Sequence, residues 1–347
     1  MNFASDNWAG ATPEVMAALH RANDGAAPAY GNDALTRRVT GLFSEVFETD
    51  VQVWFTGTGT ASNSLGLAAL SRPGGLVFCS SEAHIHVDEW GATEFQSQGM
   101  KLVAVPQAAG RMAPEALAEM MARYPEGSRY GVPVALSLTN ATELGTVYAP
   151  AGVQALTGLA RARGLAVHMD GARFGNAVAA SGATPAELTW KAGVDFLSFG
   201  GTKNGCWAAE AIVVFAPDRL HDLAARRQRA GHTFSKARFV AAQFEAYLTD
   251  GNWLRWARAA NARAEQLRAG LRGTGPAWLG WESEANEVFA VLPRAAIAAV
   301  RAAGGTLYEW PAEAMGGQLG PDEDLVRLVT SWATTADEVE RFLSLVG

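Results

Sequence analysis

Two cysteines, Cys79 and Cys206, are all that 347 residues contain. They are too few for a disulfide framework and are read as reduced, buried, small hydrophobes. No His-rich or Cys-rich spacing suits a closed metal site, so no metal is expected. Charge is sparse as well. Only 18% of residues are charged, the formal balance is −7, and no run of Lys and Arg interleaves with aromatics, which argues against a nucleic-acid partner. No apolar run approaches the roughly 20 residues that cross a bilayer, and Met1-Asn-Phe-Ala-Ser-Asp-Asn-Trp8 lacks a basic stretch ahead of an apolar core. The expectation is a cytoplasmic protein with no membrane partner. Repeats and low-complexity segments are missing too.

What the chain has in quantity is apolar material, 49% of residues, enough for a sheet covered on both faces and a second, smaller core. Between residues 50 and 215 short apolar runs alternate with longer helix-like stretches, the rhythm of an α/β fold. Val51–Phe55, Leu76–Cys79, Leu102–Val105, Val134–Leu138, Leu165–Met169, Phe196–Phe199 and Ala211–Phe215 read as strands of a mostly parallel central sheet. Helix starts are marked by Thr12-Pro13, Thr184-Pro-Ala-Glu187 and Thr335-Ala-Asp-Glu338, the last two with capping-box spacing. From about residue 246 the pattern changes. An Ala- and Arg-rich helix over Trp253–Arg272 precedes short strands at Val288–Leu292, Thr306–Trp310 and Leu325–Thr330, and a helix closes the chain at Ala336–Leu345. We expect two domains: residues 1–249, an N-terminal segment plus a large α/β domain, and residues 250–347, a smaller C-terminal α+β domain.

Two residues stand out chemically. Asp170 ends one apolar run in His168-Met-Asp-Gly-Ala-Arg173, and Lys203 ends a later one in Phe199-Gly-Gly-Thr-Lys-Asn-Gly205. A carboxylate at the end of a buried strand needs a cation. Arg173 or a helix cap would satisfy it; so would a protonated pyridine nitrogen, and Lys203 in its glycine-rich turn is the amine that would hold the aldehyde of pyridoxal phosphate. Thr56-Gly-Thr-Gly-Thr-Ala-Ser62 follows a strand and opens a helix; it is either a plain connector or a phosphate cradle of free N–H groups. The basic segment Arg226–Lys236 is either a solvated helix face or a source of cations for that phosphate. His84 and His86 follow a strand and could stack on a ring or take a proton near neutral pH; His168 reads as a packed, hydrogen-bonded core residue. Arg327 interrupts an apolar strand, which suits either a solvated edge or capture of a substrate carboxylate.

Taken in order, Ser5-Asp-Asn7, Tyr30-Gly-Asn-Asp33, Thr58-Gly-Thr-Ala-Ser-Asn63, Ala83-His84, Asp170-Gly-Ala-Arg173, Thr202-Lys-Asn-Gly205 and Val326-Arg-Leu-Val-Thr330 resemble the fold-type I pyridoxal phosphate enzymes, and among them the low-specificity L-threonine aldolase family. The resemblance implies retro-aldol cleavage of L-threonine, L-allo-threonine and related 3-hydroxy-2-amino acids, phenylserine included, to glycine and an aldehyde. The nearest rival is a β-eliminating lyase acting on serine-like amino acids. The aldolase resemblance implies Lys203 as the cofactor-bearing lysine, Asp170 as the pyridine-nitrogen partner and His84 as the ring-stacking imidazole, with Gly59 and Thr60 on the phosphate. Arg229 and Lys236 would reach the phosphate side from a neighbouring subunit. Ser5, Arg173 and Arg327 would bind the substrate carboxylate, Tyr30 would line the site across an interface, and the assembly would be a homotetramer built as a dimer of dimers. One departure matters. Many members carry an Asn-Thr-His triplet whose imidazole meets the β-hydroxyl, and this chain reads Thr139-Asn-Ala-Thr-Glu-Leu-Gly145; His84, His86 or a water would then supply the base.

Overall fold

All seven expected runs enter one sheet in the computed structural model, which describes residues 1–272, 275–315 and 318–347. In chain order they are β1 (Gln52–Thr56), β2 (Gly75–Ser80), β3 (Lys101–Val105), β4 (Val132–Thr139), β5 (Ala166–Gly171), β6 (Phe196–Gly200) and β7 (Glu210–Val214). The spatial order is β1-β7-β6-β5-β4-β2-β3. Pairing is parallel from β3 through to β6, whereas β7 runs against both β6 and β1. The mostly parallel expectation holds, and the reversed strand was invisible to it because a strand buried on both faces is apolar in either direction.

Both faces are covered, and the period of two along β6 and β7 shows how. Leu197, Phe199, Ala211 and Val213 join a core with Phe43 and Phe244, from helices Ala34–Phe47 and Arg238–Leu248. Their neighbours Phe196, Ile212 and Val214 join Leu65, from helix Gly59–Ala68, on the opposite face. His168 sits fully buried on β5, its ring nitrogens bonded to Ser137 (2.9 Å) and Ser198 (3.0 Å), a core residue as expected.

A second sheet follows: β8 (Trp278–Leu279), β9 (Glu287–Pro293), β10 (Tyr308–Glu309) and β11 (Glu323–Val329), antiparallel, in the order β8-β9-β11-β10. Its core gathers Val288, Ala290, Val326, Leu328 and Phe342, and Phe3 packs edge-on against Phe342. The helix Asn252–Leu271 lies across the junction, with Trp253 and Trp256 in the large core and Ala264 and Leu267 in the small one. The strand expected over Thr306–Trp310 is shorter: Thr306 pairs instead with Asn2, Tyr308–Glu309 pair with β11, and Trp310 adds a single N–H bond to the Leu325 carbonyl (2.8 Å). Arg327 is not on an edge: β11 is flanked by β9 and β10. The closing helix Ala336–Val346 carries the expected capping box, with Thr335 Oγ1 accepting from Glu338 N–H (3.2 Å) and Glu338 Oε2 accepting from Thr335 N–H (3.0 Å).

Candidate functional site

A cleft of about 290 Å³ opens where β4, β5 and β6 end, the edge at which open α/β sheets take ligands. Asp170, one residue from the end of β5, and Lys203, in the single turn Thr202–Asn204 after β6, both line it. The turn that carries Lys203 needs its glycines. A Cβ on Gly200 would lie 2.6 Å from the Ala172 carbonyl oxygen, and Gly205 holds φ at +100°. Opposite lies the first turn of Gly59–Ala68. Thr58 Oγ1 caps Ala61 N–H (3.1 Å) and the Thr58 carbonyl takes Ser62 N–H (3.1 Å), so the Gly59 and Thr60 donors are the ones left for an anion at this helix end.

The Asp170 carboxylate is buried and receives two neutral donors, Asn63 Nδ2 at 2.7 Å and Ala172 N–H at 3.0 Å. The Arg173 partner that the sequence allowed is absent, because that guanidinium is committed elsewhere. Its Nε and Nη2 donate to Asp6 at 2.7 and 3.0 Å and its Nη1 lies 3.2 Å from Glu287. Burial pushes the Asp6 carboxyl up most strongly of any single influence, but the charge and hydrogen bonds of Arg173, with Lys203 and Asn286, together outweigh it and hold Asp6 below its ordinary range.

From Asn63 a chain of hydrogen bonds continues through Glu89 Oε1 (2.9 Å) to His84 Nδ1 (2.8 Å). The Glu89 bond holds the His84 imidazole above its usual pKa. Beside it, Glu143 Oε1 accepts from His84 N–H and from Thr139 Oγ1, both at 2.8 Å, while its Oε2 is buried with no partner among the described residues. Burial, with repulsion from Asp170, pushes the Glu143 carboxyl up to about 7. Burial pushes Glu210 up to about 7 as well.

Sequence reasoning and structure agree on Lys203, Asp170, His84, Gly59, Thr60 and Arg173 as cleft residues. They part at Ser5, whose hydroxyl accepts Asn7 N–H (3.1 Å) as a helix cap and leaves Asn7 to line the cleft. His86 is exposed on the outer side of the short helix His84–Val87. Arg327 lies outside the cleft lining, its guanidinium 5.0 Å from the Trp310 ring and 5.8 Å from that of Tyr308. Within one chain Tyr30, Arg229 and Lys236 are exposed; Tyr30 borders a hollow with Arg227 and Phe234, and Arg229 one with Phe95 and Arg226. No tryptophan lines the cleft among the described residues. Sequence reading gave no role to Asn63, Glu89, Glu143, Glu210 and Glu287. The signal for the last two was an acid opening an apolar strand, at Glu210 and Glu287, and it was passed over.

Comparison with known proteins agrees with this geometry. A model of the beta-eliminating lyase family matches residues 2–295. The low specificity L-threonine aldolase of Pseudomonas aeruginosa is 43% identical over 337 residues, 97% of this chain and 94% of that one. The structure of the Leishmania major threonine aldolase superposes with a TM-score of 0.91 at 26% identity, covering 99% of this chain and 98% of the other. Serine palmitoyltransferase of Sphingomonas wittichii shares the fold alone, with a TM-score of 0.70 at 16% identity over 99% of this chain and 86% of that one. The chain therefore belongs to the beta-eliminating lyase family, and within it to the low-specificity L-threonine aldolases.

Proposed function

We propose that the protein is a pyridoxal phosphate-dependent aldehyde-lyase that cleaves L-threonine, L-allo-threonine and related 3-hydroxy-2-amino acids to glycine and an aldehyde. The observation that carries this reading is that Lys203, Asp170 and the open N-terminus of Gly59–Ala68 line one cleft. The residues fit the cofactor on physical grounds. A buried carboxylate whose recorded partners are neutral needs a cation, free N–H groups at a helix end need an anion, and an amine stands on the same wall. When bound, the pyridoxal ring supplies an electron sink for the carbanion left on the α-carbon as the bond to the β-carbon breaks.

The chain's own groups do the rest. Lys203 would hold the aldehyde carbon, Asp170 would supply the anion that keeps the ring nitrogen protonated, and Gly59 and Thr60 would bind the phosphate. His84, oriented by Glu89, would pack against the ring. The proton of the β-hydroxyl goes to Glu143, which occupies the segment where the familiar histidine is missing and whose unpartnered Oε2 can hold it. Arg173, in the cleft lining, and Arg327, on the other side of Glu287, bind the substrate carboxylate. Tyr30, Arg229 and Lys236 act on the cleft of a second copy, in a homotetramer. Glycine and aldehyde released from L-threonine, L-allo-threonine and phenylserine are the expected products for the purified protein. Ammonia and a keto acid from serine, without glycine from threonine, would replace this reading with β-elimination.

A further inference from the structure

Next to the cleft lies a second cluster of buried charge, two arginines against two carboxylates. Arg173 has spent its Nε and Nη2 on Asp6 and sets Nη1 against Glu287 at 3.2 Å, so no fork of its guanidinium is free. Arg327 Nη1 lies 3.9 Å from the other Glu287 oxygen, too far for a hydrogen bond. Glu287 is 0% exposed, yet neither of its oxygens accepts a hydrogen bond among the described residues, and Arg327 Nε is buried without an acceptor. Buried polar groups are nearly always satisfied, so three unmet atoms at one place mark a place where something else binds.

Charge decides what can bind. Arg173 and Arg327 are balanced one for one by Asp6 and Glu287, the latter held between the two guanidiniums. A substrate carboxylate at Arg327 adds a third anion to a buried cluster whose two guanidiniums are already matched; Lys203, the further cation facing Glu287 and Asp6, is taken up by the cofactor, so the addition is costly unless one anion is neutralised. Asp6 is the wrong one to neutralise, since it holds Arg173 through two hydrogen bonds and accepts a third from Asn286 Nδ2 at 3.1 Å. Glu287 makes only the ion pairs.

We propose that Glu287 is a resident counter-ion of Arg327 that yields to the substrate carboxylate by taking up one proton, so that amino-acid binding and protonation of Glu287 are coupled. This rests on the aldolase reading and deepens it. A solvent proton forms one O–H bond on Glu287 and leaves again when the amino acid departs; no other bond changes. Once protonated, Glu287 turns from competitor into hydrogen-bond donor toward the incoming carboxylate. Burial already pushes its carboxyl above the ordinary range, with Arg173, Arg327 and Lys203 pulling it down and Asp6 pushing it up. These are the charged groups that face it.

Glycine binding to the holoenzyme tests the coupling, read calorimetrically in two buffers of different ionisation enthalpy and by the cofactor's visible band. Wild type should take up close to one proton more per glycine than Glu287→Gln, and its Kd should rise with pH by up to about tenfold per unit in the coupled window. The variant should lose that slope and bind glycine more than tenfold tighter than wild type at the alkaline end. Equal proton counts and equal slopes in the two proteins would overturn the proposal. So would uniformly weaker binding by the variant, which marks Glu287 as only a prop for Arg173. If Glu287→Gln does not fold, Glu287→Met answers the same question, and a wild-type Kd for acetate, a carboxylate with no amine proton to lose, that stays flat between about pH 6 and 9 refutes the coupling without either. Should wild type bind no glycine at all, the aldolase reading itself fails; glycine binding with an unchanged proton count removes only this inference.

Discussion

The two ends of the cleft handle buried charge in opposite ways. Around Asp170 the carboxyls of Glu89, Glu143 and Glu210 crowd against one lysine and one histidine, and two of them are driven up to about 7. Around Arg173 every charge has an opposite neighbour and Asp6 is held ionised. An end with surplus anions is built to receive a cation, such as a protonated ring nitrogen; a balanced end holds the chain together and admits an anion only by exchange. The contrast separates the residues whose loss should cost chemistry from those whose loss should cost the fold.

The largest expected effect lies at the unbalanced end. Lys203→Ala should lower turnover by about 10³-fold or more, since it removes both the attachment point and a proton-transfer group. The visible absorption band of bound cofactor should vanish with it, while thermal unfolding of the cofactor-free protein barely changes. A band that survives in the variant would mean that the cofactor is held by some other amine.

At the balanced end the loss should be one of stability. Asp6→Asn leaves Arg173 with one of its two carboxylates, and breaking a buried pair costs about 3 kcal/mol. Urea unfolding of the cofactor-free protein measures it. A variant as stable as wild type would show that Glu287 alone can hold Arg173, and the contrast between the two ends would lose its basis.

Most of this was legible in the residues, for reasons that differ from place to place. The parallel sheet announced itself because strands buried on both faces must be apolar throughout, and Lys203 because glycines flank it, Gly200 for its close approach to Ala172 and Gly205 for its positive φ. The reversed direction of β7 was not legible, since direction leaves no trace in a uniformly buried strand. Nor was the fate of Arg173: its spacing from Asp170 suggested a local pair, but the partner that captured it, Asp6, lies 167 positions away. The acids Glu89 and Glu143 were not legible because a carboxyl's role depends on what buries it, and burial is a property of the folded chain. The bounds of short strands such as Tyr308–Glu309 were decided by Asn2, from the far end of the sequence.

Glu143→Gln sharpens the comparison by pH. The carboxyl titrates at about 7, so its ionised form, the one able to accept a proton, grows as pH rises through 7. Wild-type kcat should therefore climb through that range. The variant should lose the limb and run about 10²-fold slower on its alkaline side, with cofactor binding retained. If the limb persists unchanged, the proton goes elsewhere, and His84 and Glu210 are the titratable cleft groups to test next.

Smallest is the effect of Asp170→Asn on the protein without cofactor. Deleting this charge removes repulsion toward Glu143 and Glu210. One hydrogen bond is lost against that gain: the new amide oxygen still accepts Ala172 N–H, but Asn63 can present its Oδ1 to the new amide only by withdrawing Nδ2 from Glu89 Oε1. The two effects oppose each other, and the melting of the cofactor-free variant should stay within about 1 kcal/mol of wild type. With cofactor present wild type should be the more stable, for it gains an ion pair with the ring nitrogen and the variant does not. A cofactor-free variant destabilised as much as Asp6→Asn would mean that Asp170 is a structural anion like those at the other end.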